Sequence, residues 1–322
     1  MTHPGNSATR PVSPALPMPL CGRLGLVLGA ALFLGSGTAL AASPLDLPGG
    51  CVVARGAVHG NDTRLEADKL EISLPADQAA AFHASHLSAV TRNATLPPGA
   101  LGHASTAAAA ALLGALTGHR DADCSDQAFK EAIAPVAQAV AHGGHVSFAW
   151  TGVSLRSGTR RMGAARIALQ LDGGGDTARL ALQVAGAASN DSAAPLLPER
   201  LELNASLPAS ELPALVAAAG GRGAPVDLTI DRIHAVRGDT TLTGNGQARI
   251  AADPADNSGT AHVAIAGYDS LLDAAGTAGL QKIRTALFLA KLMAHRNGGD
   301  ADWDLKWQGS TLLVNNVPLP IR

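Results

Sequence analysis

The chain has 322 residues, 47% of them hydrophobic and 16% charged, which is too apolar for a disordered protein and enough for one large domain or two ordinary ones. Its 24 basic and 26 acidic residues give a net charge of −2, so no basic excess exists to neutralise phosphates, and no nucleic-acid partner is expected. Aromatic residues make up only 3%, and 36 glycines with long alanine runs take their place.

The first 41 residues contain Arg10 and Arg23 and no acid. After Arg23 the apolar run Leu24 to Leu34 has the length of a signal h-region and is short for a membrane span. Ala39-Leu40-Ala41 places small residues at the −3 and −1 positions. This pattern predicts a signal peptide over 1–41, cleavage before about Ala42 and a periplasmic location. The alternative is an uncleaved anchor from Leu24 to Ala42. Cys21 precedes the apolar run and is not placed as a lipoprotein acceptor. The exported chain keeps Cys51 and Cys124, and an even count in that compartment predicts a disulfide between them. Neither has a second cysteine at C-x-x-C spacing, which argues against zinc.

Residues 42–145 read as a hairpin followed by a helical block. Lys69-Leu70-Glu71-Ile72-Ser73-Leu74 alternates with strict period two, and His59-Gly60-Asn61-Asp62 makes the turn. Ala76–Ala89, Ser105–Leu116 and Ser125–Val140 are Ala-rich, lack β-branched runs and are predicted helices. Ser125 followed by Asp126 suits an N-cap, and Pro135 is expected to kink or split the third helix.

From Val146 the chain turns β-rich. Ala165-Arg166-Ile167-Ala168 matches Ala248-Arg249-Ile250-Ala251, and the segment from Thr177 to Leu182 matches that from Thr260 to Ile265, both at an offset of 83 residues. Each pair predicts a hairpin, and the common offset suggests a duplication. Between the copies a strand (Arg200–Leu207) and a short helix (Ser210–Ala219) are expected, and Val226, Leu228 and Ile230 then alternate with polar residues. A long helix is predicted over about 269–296, ended by Asn297-Gly298-Gly299. A last hairpin puts Trp303, Leu305 and Trp307 on one face.

The elements predict an α+β fold. It is an exported, mostly antiparallel curved sheet built of repeated hairpins, with helices packed on one face and an Ala-rich helical block. The domains expected are 42–145 and 146–322.

Motifs for catalysis are missing from the sequence. Gly152-Val153-Ser154-Leu155-Arg156 fails as a nucleophile elbow at its last position, and neither a Walker A nor a dinucleotide fingerprint occurs, so no cofactor is expected. His83 with His86, and His142 with His145, lack the glutamate or cysteines of a metal site, and no metal is expected. Asp227, Asp231, Asp302 and Asp304 fall on polar strand faces, where solvated carboxylates are common, with a glycosidase pair as the alternative.

Val226-Asp227-Leu228-Thr229-Ile230, the run from Gly238 to Gly246, the Leu-rich helix and the closing segment from Trp303 through Gly309 to Val314-Asn315 together carry a resemblance. Over about 200–322 the chain resembles alpha-proteobacterial envelope proteins of unknown function with an AsmA-like periplasmic sheet. Arg55-Gly56-Ala57-Val58 and the run from Leu65 to Leu70 are similar to strands of the lipopolysaccharide-bridge proteins. Two departures stand against this: the long AsmA-type strand array is not evident, and the Ala-rich block 76–142 intervenes. The resemblance implies envelope lipid handling or envelope assembly and carries over no catalytic residue.

The function expected is that of a non-enzymatic periplasmic envelope protein that binds or shuttles a lipid-like apolar ligand. The alternative is a structural or assembly factor with no small-molecule ligand; a hydrolase comes third. Candidate ligand-binding residues are Leu280, Ile283, Leu287, Leu289, Met293, Trp303 and Trp307, on the 269–296 helix and the strand beneath it. A lipid or an envelope protein is the partner expected, with transient membrane contact.

Overall fold

Alternating strands dominate the computed structural model, which describes residues 43–47, 50, 52–74, 77–117, 125–191, 194–297, 300–309 and 311–320. The predicted signal segment, Cys51 and Cys124 lie outside the described residues.

In chain order the strands of the first half are β1 (Val53–Gly60), β2 (Arg64–Leu74), β3 (Asp77–Arg92), β4 (His145–Ser157), β5 (Arg160–Gly174), β6 (Thr177–Ala185) and the two-residue β7 (Ala188–Ser189). The second half adds β8 (Arg200–Pro208), β9 (Val226–Arg237), β10 (Thr240–Ile250), β11 (Ser258–Ala266), β12 (His295–Asn297), β13 (Asp300–Gln308), β14 (Thr311–Val314) and β15 (Val317–Pro320). The helices are α1 (Ala100–Thr117), α2 (Asp126–Ala141), α3 (Leu212–Ala219), α4 (Tyr268–Thr277) and α5 (Gln281–Met293). Thirteen strands pair antiparallel in one path, nearly in sequence order, with β7 paired to β5 and β12 to β13 off that path. The sheet crosses residue 145 without a break, since β3 pairs with β4.

Two expectations are corrected and a third is narrowed. Residues 77–92 form β3, not a helix. Its inward residues are Ala80, Phe82 and Ala84, then Leu87 and Ala89, so the period of two is interrupted once, and alanine alone did not reveal it. Pro135 does not split its helix, because α2 runs through it from Asp126 to Ala141. The predicted 269–296 helix is two helices, α4 and α5, separated where Gly279 adopts φ +71°, and Arg296 and Asn297 belong to β12.

Other expectations hold. His59 to Asp62 does turn β1 into β2, and the Ser125 side chain accepts from the Ala128 N–H at 3.2 Å as the N-cap of α2. Both matched segments sit in hairpins, β5–β6 and β10–β11. They do not share a register: Ala168 pairs with Gln183, whereas Ala251 lies past the end of β10.

The interruption in β3 belongs to a crease. Lys69 in β2, Ser85 in β3, Gly152 in β4 and Ala165 in β5 lie side by side, and the inward positions switch parity at each. The pairing register is the same on both sides of the crease, so each strand spends one residue there. Gly152 has φ +59°, and a Cβ there would sit 2.4 Å from the Ser85 hydroxyl, which itself donates to the Thr151 carbonyl at 2.8 Å. Only glycine fits that position.

One face of the sheet is apolar from end to end. A single row of partners runs Ala89, Phe148, Leu169, Leu182, Leu203, Ile233, Gly244, Val263 and Trp303. The main core lies on this face under α1, α2 and α3. Ala107 to Ala111 are all buried, so α1 is enclosed, and its small side chains let neighbouring elements approach closely. Trp150 is fully buried, stacked on Phe148 at 5.9 Å and edge-on to Phe82 at 6.2 Å. A second, smaller core gathers Tyr268, Ala301, Trp303 and Val314 under α4 and α5.

Candidate functional site

Between the two cores the apolar face is only half covered. Leu201, Leu203, Ile233 and Leu242 are half-buried and belong to neither core. Register places them together: Leu203 faces Ile233, and Leu201 and Leu242 both pair with Ala235. α3 packs against β9 and β10, while α4 meets β10 and the turn Ala194–Leu196. The result is a seam floored by β8, β9 and β10 and flanked by helices. From β6 to β11 it crosses four strand spacings, about 19 Å, enough for an extended acyl chain.

The predicted ligand residues divide into three groups. Leu287, Met293 and Trp303 come together in the small core, where Trp303 is 4% exposed and its ring lies 5.4 Å from that of Tyr268. Leu280, Ile283 and Trp307 are half-buried, and the Trp307 ring lies over Gly259. Leu289 is 50% exposed. Sequence reasoning missed the seam itself. Leu201 and Leu203 alternate visibly with polar residues, but which strands lack a covering helix is a property of the assembled sheet.

α5 is attached in an unusual way: none of its residues is buried. Instead the Tyr268 hydroxyl donates to the Leu287 carbonyl at 2.7 Å, the Trp303 indole N–H to the Ala290 carbonyl at 2.9 Å, and the Asn315 amide to the Met293 carbonyl at 2.6 Å. The last two carbonyls are among those a helix end leaves without an intrahelical partner. Burial pushes the Tyr268 hydroxyl up to about 12. Tyr268 is the chain's one tyrosine, so tyrosinate absorbance reads it alone. Its titration should be centred near 12, and a midpoint near the usual 10 would show that the clamp is not formed. The folded state holds this proton more tightly than the unfolded chain, so stability is full below about pH 10 and falls as pH rises toward 12.

Leu289→Asp gives a second check on this geometry. A charge placed on a half-exposed position should cost under about 1 kcal/mol in urea denaturation. A loss of several kcal/mol would mean that Leu289 is buried.

The opposite face is polar. Two adjoining recesses of about 790 and 920 Å³ share Thr229, Gln247, Thr260 and Lys306. The carboxylates singled out by sequence are engaged: Asp227 accepts from Arg249 at 3.0 Å, Asp231 from the Ser206 hydroxyl at 3.2 Å, and Asp304 pairs with His262 at 3.0 Å. Asp302 is buried, 3.7 Å from His295. His83 and His86 both face this side of β3. His86 is 2.8 Å from Asp68 and its hydrogen bond holds that carboxyl below the usual range, while His59 lies 3.3 Å from the same Asp68. His142 contacts the Gln138 carbonyl at 2.7 Å and His145 contacts Asp172. Among the described residues no group of three His, Cys, Asp or Glu side chains could hold a metal ion.

No protein-family model, curated protein or solved structure matches the chain.

Proposed function

We propose that this chain is a non-enzymatic, periplasmic envelope protein that holds the acyl part of a lipid-like ligand in the seam between its two cores. The observation that carries the reading is the half-covered row of Leu201, Leu203, Ile233 and Leu242 on an otherwise covered apolar face. Partly open apolar surface flanked by rigid elements is what acyl-chain binding requires. Export through the 1–41 segment and a Cys51–Cys124 disulfide belong to the same proposal.

Native mass spectrometry of periplasmic protein tests it. The wild type should carry lipid mass, and Leu203→Gln with Ile233→Gln should lose most of it while remaining folded. Both side chains are half-buried, so the pair should cost about 2–3 kcal/mol. A wild type free of lipid would favour the assembly-factor reading instead.

A further inference from the structure

We propose that α5 docks in the plane of a membrane surface containing anionic phospholipid, with Phe288, Leu289 and Leu292 inserted at the headgroup boundary. These three side chains are 52%, 50% and 64% exposed, although Leu287 and Met293 of the same helix pack against the small core. The helix therefore carries more apolar surface than its own protein covers. Three side-chain donors to its carbonyls add to that packing and fix the helix in place with Phe288, Leu289 and Leu292 exposed.

Charge identifies the occupant. The segment Gln281–Met293 contains Lys282, Arg284 and Lys291 and no acid. Lys291 pairs with Asp269 of α4, and Arg284 and Phe288 share a shallow recess with Asp269 and Asp273, so the two helices together keep a basic excess, three bases against two acids. Apolar side chains flanked by bases are the pattern of helices that lie in the interface of anionic bilayers. A two-fold dimer through the same surface would set these bases against their own copies. The helix is about 20 Å long, too short for a hydrocarbon core of about 30 Å, so it lies on the membrane. Among the described residues no helix is long and apolar enough to cross one.

The inference goes beyond the seam and does not need it to be occupied. The test uses the full chain with vesicles of phosphatidylethanolamine and phosphatidylglycerol, against vesicles of phosphatidylcholine. Hydrogen exchange at 281–293 should slow at least tenfold on the anionic vesicles and far less on the neutral ones. Phe288→Ser with Leu292→Ser should abolish that protection, and Lys282→Glu should weaken it, with unchanged circular dichroism and unchanged co-purifying lipid. Unchanged exchange at α5 while the chain binds vesicles through another segment would overturn the proposal. So would protection of α5 that follows protein concentration without vesicles, since that identifies a second copy. A wild type that shows α5 protection on anionic vesicles but carries no co-purifying lipid would count against the seam alone.

Discussion

Trp150→Ala should destabilise the protein by about 3–5 kcal/mol, the range for removing a fully buried large aromatic. The ring is 0% exposed at the centre of the main core and touches Phe148 and Phe82 in two different geometries. Its row continues through Leu87 on one side and Ile167 on the other, so the cavity would open in the middle of the sheet beneath the helices. Neighbours in a creased sheet have little freedom to collapse into that space, because their parity is pinned by Lys69, Ser85, Gly152 and Ala165. Urea denaturation gives the number. A loss below about 1 kcal/mol would mean that the α1–α3 layer does not press on the sheet there.

Trp303→Ala should be nearly as costly, about 3 kcal/mol or more, and different in kind. It removes ring contact with Tyr268 and the donor to the Ala290 carbonyl together. Because this core is separate from the main one, the damage should stay local. Amide exchange in α4 and α5 should accelerate strongly, whereas that in α1 and α2 should change little. Uniform acceleration across both helix groups would show that the two cores are one cooperative unit, and the seam between them would lose its physical basis.

How much of this could be read from sequence follows from how locally each feature is encoded. The strict alternation of residues 69–74 and the spacing of Trp303, Leu305 and Trp307 are local, and both were legible. The Ser125 cap was legible because it needs only its own turn. β3 was not, since its inward parity switches once at Ser85 and its alanines favour helix in isolation. What makes it a strand is pairing on both sides, to β2 and β4, which overrides intrinsic propensity. The 269–296 stretch kept helical spacing on both sides of Gly279, so only the chain reversal, not the helicity, was hidden. The site was less legible than the fold. Of the candidate ligand residues, Leu287, Met293 and Trp303 meet in the small core. The half-buried residues Leu201, Leu203, Ile233 and Leu242 come from three strands, and their shared partial exposure depends on where α3 and α4 stop.

That shared exposure is the central claim, and a photoactivatable fatty acid tests it most directly. The protein is incubated with a diazirine-bearing acyl chain, irradiated and mapped by peptide mass spectrometry. Labels should concentrate on 200–207, 230–236 and 240–244 and should be lost in the Leu203→Gln, Ile233→Gln variant. Labels confined to α5, or spread over the polar recesses around Thr229 and Lys306, would contradict it.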